Sequence, residues 1–175
     1  MPFLILSTSL NPESRSRVMA QASLAAFRER GLSAELKDLR DFPLPLCDGG
    51  AAYGDPNVAK IGGLIAAAEG VVVATPVYNY DANAAVKNLI ELTGRSWENK
   101  AVAFLCAAGG DSSYMSIMSL ANSLMLDFRC VIVPRFVYAT DEAFGGDTIT
   151  EAAILERIGR QANDLRALAG AYPPR

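Results

Sequence analysis

Uninterrupted apolar runs alternate along this chain with stretches in which apolar residues recur every three or four positions. Phe3-Leu4-Ile5-Leu6, Val71-Val72-Val73-Ala74 and Ala101 to Ala107 are runs without a polar interruption, which predicts strands covered on both faces. Ala34 to Leu39 mixes charged and apolar residues and predicts a weaker, edge-like strand, and Cys130 to Val133 predicts a fifth. Between them Val18, Ala22, Ala25 and Ala26 have helical spacing, with Gly31 as a stop. The same spacing recurs in Val58, Ile61, Leu64, Ile65 and Ala68, in Ala84 to Thr93, in Ser112 to Leu126, and from about Thr150 to Ala169. Arg40 to Asn57 reads as loop, and Pro76 is expected to stop the third strand. Strands alternating with helices predict an α/β fold, a parallel sheet with helices on both faces. No linker or repeat divides the sequence, so one domain over 1–175 is expected.

Composition narrows the function. The chain has 175 residues, 51% of them hydrophobic and 20% charged, with a net charge of −3. That balance suits a compact domain and offers no electrostatic footprint for nucleic acid or an anionic membrane. The start, MPFLILSTSL, lacks the basic n-region and longer apolar stretch of a secretory signal, so a cytoplasmic location is the expectation. Cys47, Cys106 and Cys130 are widely spaced, without a CxxC pair, and fit reduced structural thiols. No histidine occurs anywhere. This excludes Ser-His-Asp and Cys-His hydrolysis and any histidine-based metal site; no metal is called for. Chemistry here rests on other groups, or on a cofactor that carries the reaction.

Open parallel sheets bind ligands beyond the carboxyl ends of their strands, which directs attention to the loop after the first strand. It offers the hydroxyls of Ser9, Ser14 and Ser16, the amide of Asn11, and the guanidinium groups of Arg15 and Arg17, just before a helix. Helix N-termini present unpaired N–H groups and partial positive charge, so a phosphate fits there. A serine that only caps the helix fits the same spacing. Neither GxGxxG nor GxxxxGK[ST] is present, which favours a monophosphate over a dinucleotide or triphosphate.

Thr75-Pro76-Val77-Tyr78-Asn79-Tyr80, followed by Lys87-Asn88, resembles the TPxYNY…KN signature of the NADPH-dependent FMN reductase family. Ser9-Leu10 with Ser14 is similar to that family's GSxxxxS phosphate loop, and Ala107-Ala108-Gly109-Gly110 to its third loop. The resemblance implies a flavodoxin-like three-layer sandwich: a five-stranded parallel sheet, order 2-1-3-4-5, between helices. It implies FMN, with its phosphate held by Ser9, Asn11, Ser14, Arg15 and Ser16. Pro76, Val77, Tyr78, Asn79 and Tyr80 would follow the ribityl chain and one edge of the ring, and Ala108, Gly109, Gly110 and Asp111 its other side. The implied activity passes two electrons from NADPH or NADH through FMN to a small-molecule acceptor: a flavin, quinone, azo compound or metal oxyanion. No catalytic side chain is implied, because the flavin carries the chemistry. Homodimers or homotetramers are implied as well. Thr8, Asn11, Val77 and Ala85 depart from the family's common glycine, arginine, glutamate and glycine.

A histidine-free chain suits this activity, because hydride transfer between stacked rings asks the protein only to orient them. Two rival classes share the fold: a flavodoxin-like single-electron carrier, and a non-redox phosphate-ligand binder. Lys87 reads as a helix-face charge. Trp97 fits either a core cover or an interface anchor, and the loops at Tyr53 and Phe144 read as exposed.

Overall fold

Residues whose side chains must alternate between two apolar layers build the centre of the sheet. In the computed structural model, which describes residues 2–172, β1 (Phe3–Ser7) is buried along its whole length. Phe3 and Ile5 enter one layer and Leu4 and Leu6 the other, as the period of two requires. After β1 come α1 (Arg15–Glu29), β2 (Ala34–Asp38), α2 (Pro56–Ala67), β3 (Gly70–Tyr78), β4 (Asp81–Ala82) and α3 (Ala84–Thr93). Next are β5 (Ala101–Ala107), α4 (Met118–Phe128), β6 (Val131–Ile132), β7 (Val137–Ala139), β8 (Phe144–Gly145), β9 (Thr148–Ile149) and α5 (Ala152–Ala171). The expected domain spans 1–175; residues 1 and 173–175 of it lie outside the described residues.

The sheet runs β2-β1-β3-β5-β6, with parallel pairs such as Leu4↔Val71 and Val72↔Ala103. This is the expected 2-1-3-4-5 order, with β6 and β7 sharing the far edge beside β5. Met19 and Phe27 of α1 and Ile154, Ile158 and Leu165 of α5 cover one face. Ile61 and Ile65 of α2, Leu89 and Ile90 of α3, and Leu120 and Leu124 of α4 cover the other. Burying each such side chain contributes roughly 1.5–3 kcal/mol.

Several expected boundaries change. The third strand continues through Pro76, which aligns with Ala107 of β5. Pairing with β1 has already ended at Ala74, so one flank of β3 is open where proline lacks a donor. The fifth strand is broken. Val102 faces Ile132 but Leu105 faces Val137, so three steps along β5 match five along the edge, and two residues loop out. Pro134 sits in that loop, beside Arg135 with φ 61°. The helix expected from Ser112 is a 3-10 turn over Asp111–Ile117 before α4 begins. Its serines can bond the nearby backbone instead of favouring a regular helix. The second helix starts earlier, at Pro56, where the Asp55 carboxylate accepts the Asn57 N–H at 2.7 Å. The loop before it contains two 3-10 turns, Leu39–Asp41 and Ala51–Gly54. The β8–β9 hairpin was not expected; two-residue strands leave too short a pattern to read.

Trp97 is a core cover: it is fully buried and its indole N–H donates to Thr93 Oγ1 at 2.8 Å. Cys106 and Cys130 are buried, and burial raises both thiols to about 12, far from thiolate chemistry at neutral pH. Cys47 is half-buried. Among the described residues, no helix is long and apolar enough to cross a membrane. Trp97→Ala, which empties the largest fully buried side-chain site among the described residues and removes the indole donor to Thr93, is expected to lower unfolding free energy by about 3–5 kcal/mol. Urea denaturation checks this, and Trp97→Phe should cost less.

Candidate active site

The loop leaving β1 is built from its own polar groups. Ser9 is buried and its Oγ accepts the Asn11 N–H at 3.2 Å, while Asn11 Oδ1 accepts the Glu13 N–H at 3.0 Å. Arg17, from the first turn of α1, donates to the carbonyls of Asn11 at 3.1 Å and Pro12 at 2.7 Å, and to Asp38 Oδ2 at 2.6 Å. Its guanidinium therefore shapes the loop from behind and is not among the groups lining the cleft described below. Burial alone would raise the Asp38 carboxyl. Hydrogen bonds from Arg40 and Arg17 outweigh that and hold it at about 2.

Ser14 is the N-cap of α1 by backbone geometry, with φ −77° and ψ 125°, but its hydroxyl makes no capping bond. It lies 2.7 Å from the Ser16 hydroxyl instead. The first turn of α1 contains no acidic side chain. Uncapped N–H groups and a paired set of hydroxyls leave this helix end suited to an anion.

A cleft of about 390 Å³ opens beside that helix end. Of the residues expected to hold the flavin, Asn11, Ser14, Arg15, Ser16, Pro76, Val77, Tyr78, Ala108 and Gly109 line it. Ser9 lies beneath the loop, while Asn79, Tyr80, Gly110 and Asp111 stand outside the cleft wall. The structure adds Glu13, Ala107 and Asp141. Tyr78 and Tyr80 are 52% and 60% exposed, which argues against ordinary core packing for either ring. Asn79 and Tyr80 adopt φ values of 50° and 68° in the turn between β3 and β4. The Tyr80 hydroxyl donates to the Ser112 carbonyl and the Tyr138 hydroxyl to that of Gly110, which ties the two rim loops to their neighbours.

Asn83 joins the loops from below. Its Nδ2 donates to the Thr8 carbonyl at 2.8 Å, and its Oδ1 lies 3.1 Å from Thr75 Oγ1 and caps Val86 N–H at 3.4 Å. Asn88 does the same for the proline-rich loop, donating to the Pro45 carbonyl at 2.9 Å and accepting the Cys47 N–H at 2.8 Å. Lys87 pairs with Glu91 on the surface of α3. Sequence reading missed Asn83, Asp38 and Asp141. Asn83 had a usable signal, an Asn directly before an apolar-periodic helix; the other two act across long sequence separations and had none. A second, more apolar cavity of about 440 Å³ lies between Leu10, Phe42, Leu44 and the start of α3, where Ala85 lines it.

An added Cβ at Gly109 would meet no protein atom within 4 Å, so open space flanks the backbone there. Hydroxyls and the N–H groups of a helix start, with Pro76, Val77, Ala107 and Ala108 as apolar residues lining the same cleft, fit a phosphorylated planar cofactor. The sequence model of the NADPH-dependent FMN reductase family matches residues 1–145. The chain belongs to that family. FMN is its cofactor and reduced nicotinamide its electron donor, as an FMN reductase-type oxidoreductase. An NAD(P)H-dependent FAD/FMN reductase of Geobacillus thermodenitrificans is 26% identical over 132 residues, covering 73% of this chain and 71% of that protein. An FMN reductase (NADPH) of Pseudomonas putida is 30% identical over 121 residues, 67% of this chain and 60% of the relative. The flavoenzyme NAD(P)H:acceptor oxidoreductase FerB of Paracoccus denitrificans shares the fold, with TM-score 0.80, 19% identity and 98% coverage of both chains.

The Asp38 carboxyl is depressed on folding, so its stabilising contribution is complete above its unfolded value of about 3.9 and disappears as pH falls through about 2. Asp38→Asn should remove that part of the acid sensitivity. Unfolding midpoints from about pH 5 to about pH 2 should then fall less steeply than in the parent. An unchanged slope would show that the Arg17–Asp38–Arg40 cluster does not govern acid stability.

Proposed function

We propose that the cleft between α1, the end of β3 and the 107–109 segment holds FMN, and that the protein passes two electrons from NADPH or NADH to a small acceptor. Ser14 and Ser16 hydroxyls, the Asn11 side chain, the first N–H groups of α1 and Arg15 take the phosphate, with Ser9 bracing the loop. Pro76 to Tyr80 follow the ribityl chain and a ring edge. Ala108 to Asp111 supply main-chain groups on the other side. FMN when bound supplies the hydride-accepting centre; the protein orients it, receives its phosphate at the start of α1 and leaves one side open. Flavin, quinone and azo compounds fit the acceptor class, which the second cavity, at Leu10 and Phe42, supports by being lined mainly by apolar side chains.

The observation that carries this reading is the Ser14–Ser16 hydroxyl pair on an uncapped helix start, lining the same cleft as Pro76, Val77 and Ala108. A net charge of −3 is modest for a carrier that docks on basic partners, which favours the enzyme over a flavodoxin-like carrier. Self-association into a homodimer or homotetramer is supported by exposed apolar side chains at Met115, Met118 and Leu126.

The FMN-loaded protein should be yellow and lose that colour on anaerobic addition of NADPH, with the colour returning when a quinone is added. Loaded protein that NADPH leaves oxidised would overturn the enzyme reading in favour of a carrier. Ser14→Ala combined with Ser16→Ala should weaken FMN binding about tenfold or more, because two bonds to a charged group are lost. Riboflavin, which lacks the phosphate, should bind the double variant and the parent alike. Unchanged FMN affinity would move the phosphate to another loop.

A further inference from the structure

Arg15, the cation among the cleft-lining residues, is already engaged. Its guanidinium pairs with the Asp141 carboxylate and lies 5.5 Å from the centre of the Phe144 ring. Both partners of that pair line the cleft and are about half exposed, at 42% and 56% of their side-chain surface. Glu13 lines the cleft too, so among the described residues its charged side chains are one cation and two carboxylates. An entering dianion meets a guanidinium that is neutralised and a like charge beside it.

Asp141 is not free to swing away with its backbone. It begins a 3-10 turn in which Ala143 N–H donates to the Thr140 carbonyl at 3.0 Å. Ala143 is fully buried, and its carbonyl accepts the Thr150 N–H at 2.9 Å, closing the β8–β9 hairpin. The carboxylate is thus presented to the cleft by an anchored segment. A bond to Arg15 alone does not require that.

We propose that Asp141 sets the affinity for the flavin phosphate, occupying Arg15 and opposing the dianion so that FMN is held loosely and exchanges. This rests on the phosphate lying in this cleft. The effect is electrostatic: it follows the charge of the ligand and is screened by salt.

Protein loaded with FMN, and separately with riboflavin, is diluted at low and high ionic strength, and free flavin is read by its fluorescence. Asp141→Asn should bind FMN about tenfold more tightly at low salt, with the gain shrinking as salt rises. Riboflavin affinity should stay unchanged, and Asp141→Glu, which keeps the charge, should behave as the parent. If FMN binds the Asn variant no better or more weakly, while the parent still prefers FMN to riboflavin, Asp141 does not oppose the phosphate and the proposal is overturned with the site intact. If neither the parent nor the Asn variant distinguishes FMN from riboflavin at low salt, the phosphate is not in this cleft and both readings fall.

Discussion

Asn83 lies buried where the chain diverges to opposite faces of the sheet. From β1 the chain passes to α1 on one face, and from β3 to α3 on the other, so a crevice opens between them at the carboxyl ends of the strands. Polar backbone left exposed inside that divergence would cost about 1–3 kcal/mol for each unpaired group. One carboxamide answers for both loops, donating to the Thr8 carbonyl, meeting the Thr75 hydroxyl and capping α3. The loop after β1 and the tyrosine loop after β3 therefore share one anchor. Their relative position, on which the width of the cleft depends, is set by a group that does not line the cleft.

Around that anchor the charged residues divide into builders and contacts. Arg17 faces loop carbonyls and Asp38, and Asp38 in turn holds Arg40. Only about an eighth of the Arg17 side chain is exposed, 12%, so its charge is spent on holding the loop's shape. Arg15 faces the cleft. A chain without histidine suits hydride transfer between stacked rings, for which no side-chain acid or base is obligatory and protons can come from water. The protein's contribution is geometry and field.

The architecture was legible wherever one physical constraint acted locally. Central strands buried on both faces must be apolar throughout, and β1, β3 and β5 were plain for that reason. Ala84–Thr93 was read to its boundaries because its apolar positions recur at helical spacing throughout. Where a neighbour's state decided the outcome, local reading failed. Pro76 remains in β3 because the adjoining flank is open, and the edge strand breaks at Pro134 and Arg135. The site divided in the same way. The loops that form it carry recognisable motifs, but motifs do not tell a guanidinium that lines a cleft from one that braces its back wall. Arg15 and Arg17 are two residues apart and take opposite roles, and the partners that decide this, Asp141 and Asp38, are remote in sequence.

The turn after β3 shows what such a site costs. Asn79 tolerates a left-handed conformation because its short amide can bond locally, but Tyr80 at φ 68° does not have that relief. A non-glycine residue held there costs on the order of 1–3 kcal/mol and persists only when its surroundings over-determine it. They do: the β4 strand returns to pair Val77 with Ala82 and Tyr78 with Asp81. The Tyr80 hydroxyl reaches the Ser112 carbonyl, and Ser119 Oγ donates to Asp81 Oδ1 at 2.8 Å. A glycine would remove the strain and also the bridge to the opposite rim. Tyrosine at this position exchanges local backbone comfort for a hydrogen bond that ties the turn after β3 to the 111–117 segment.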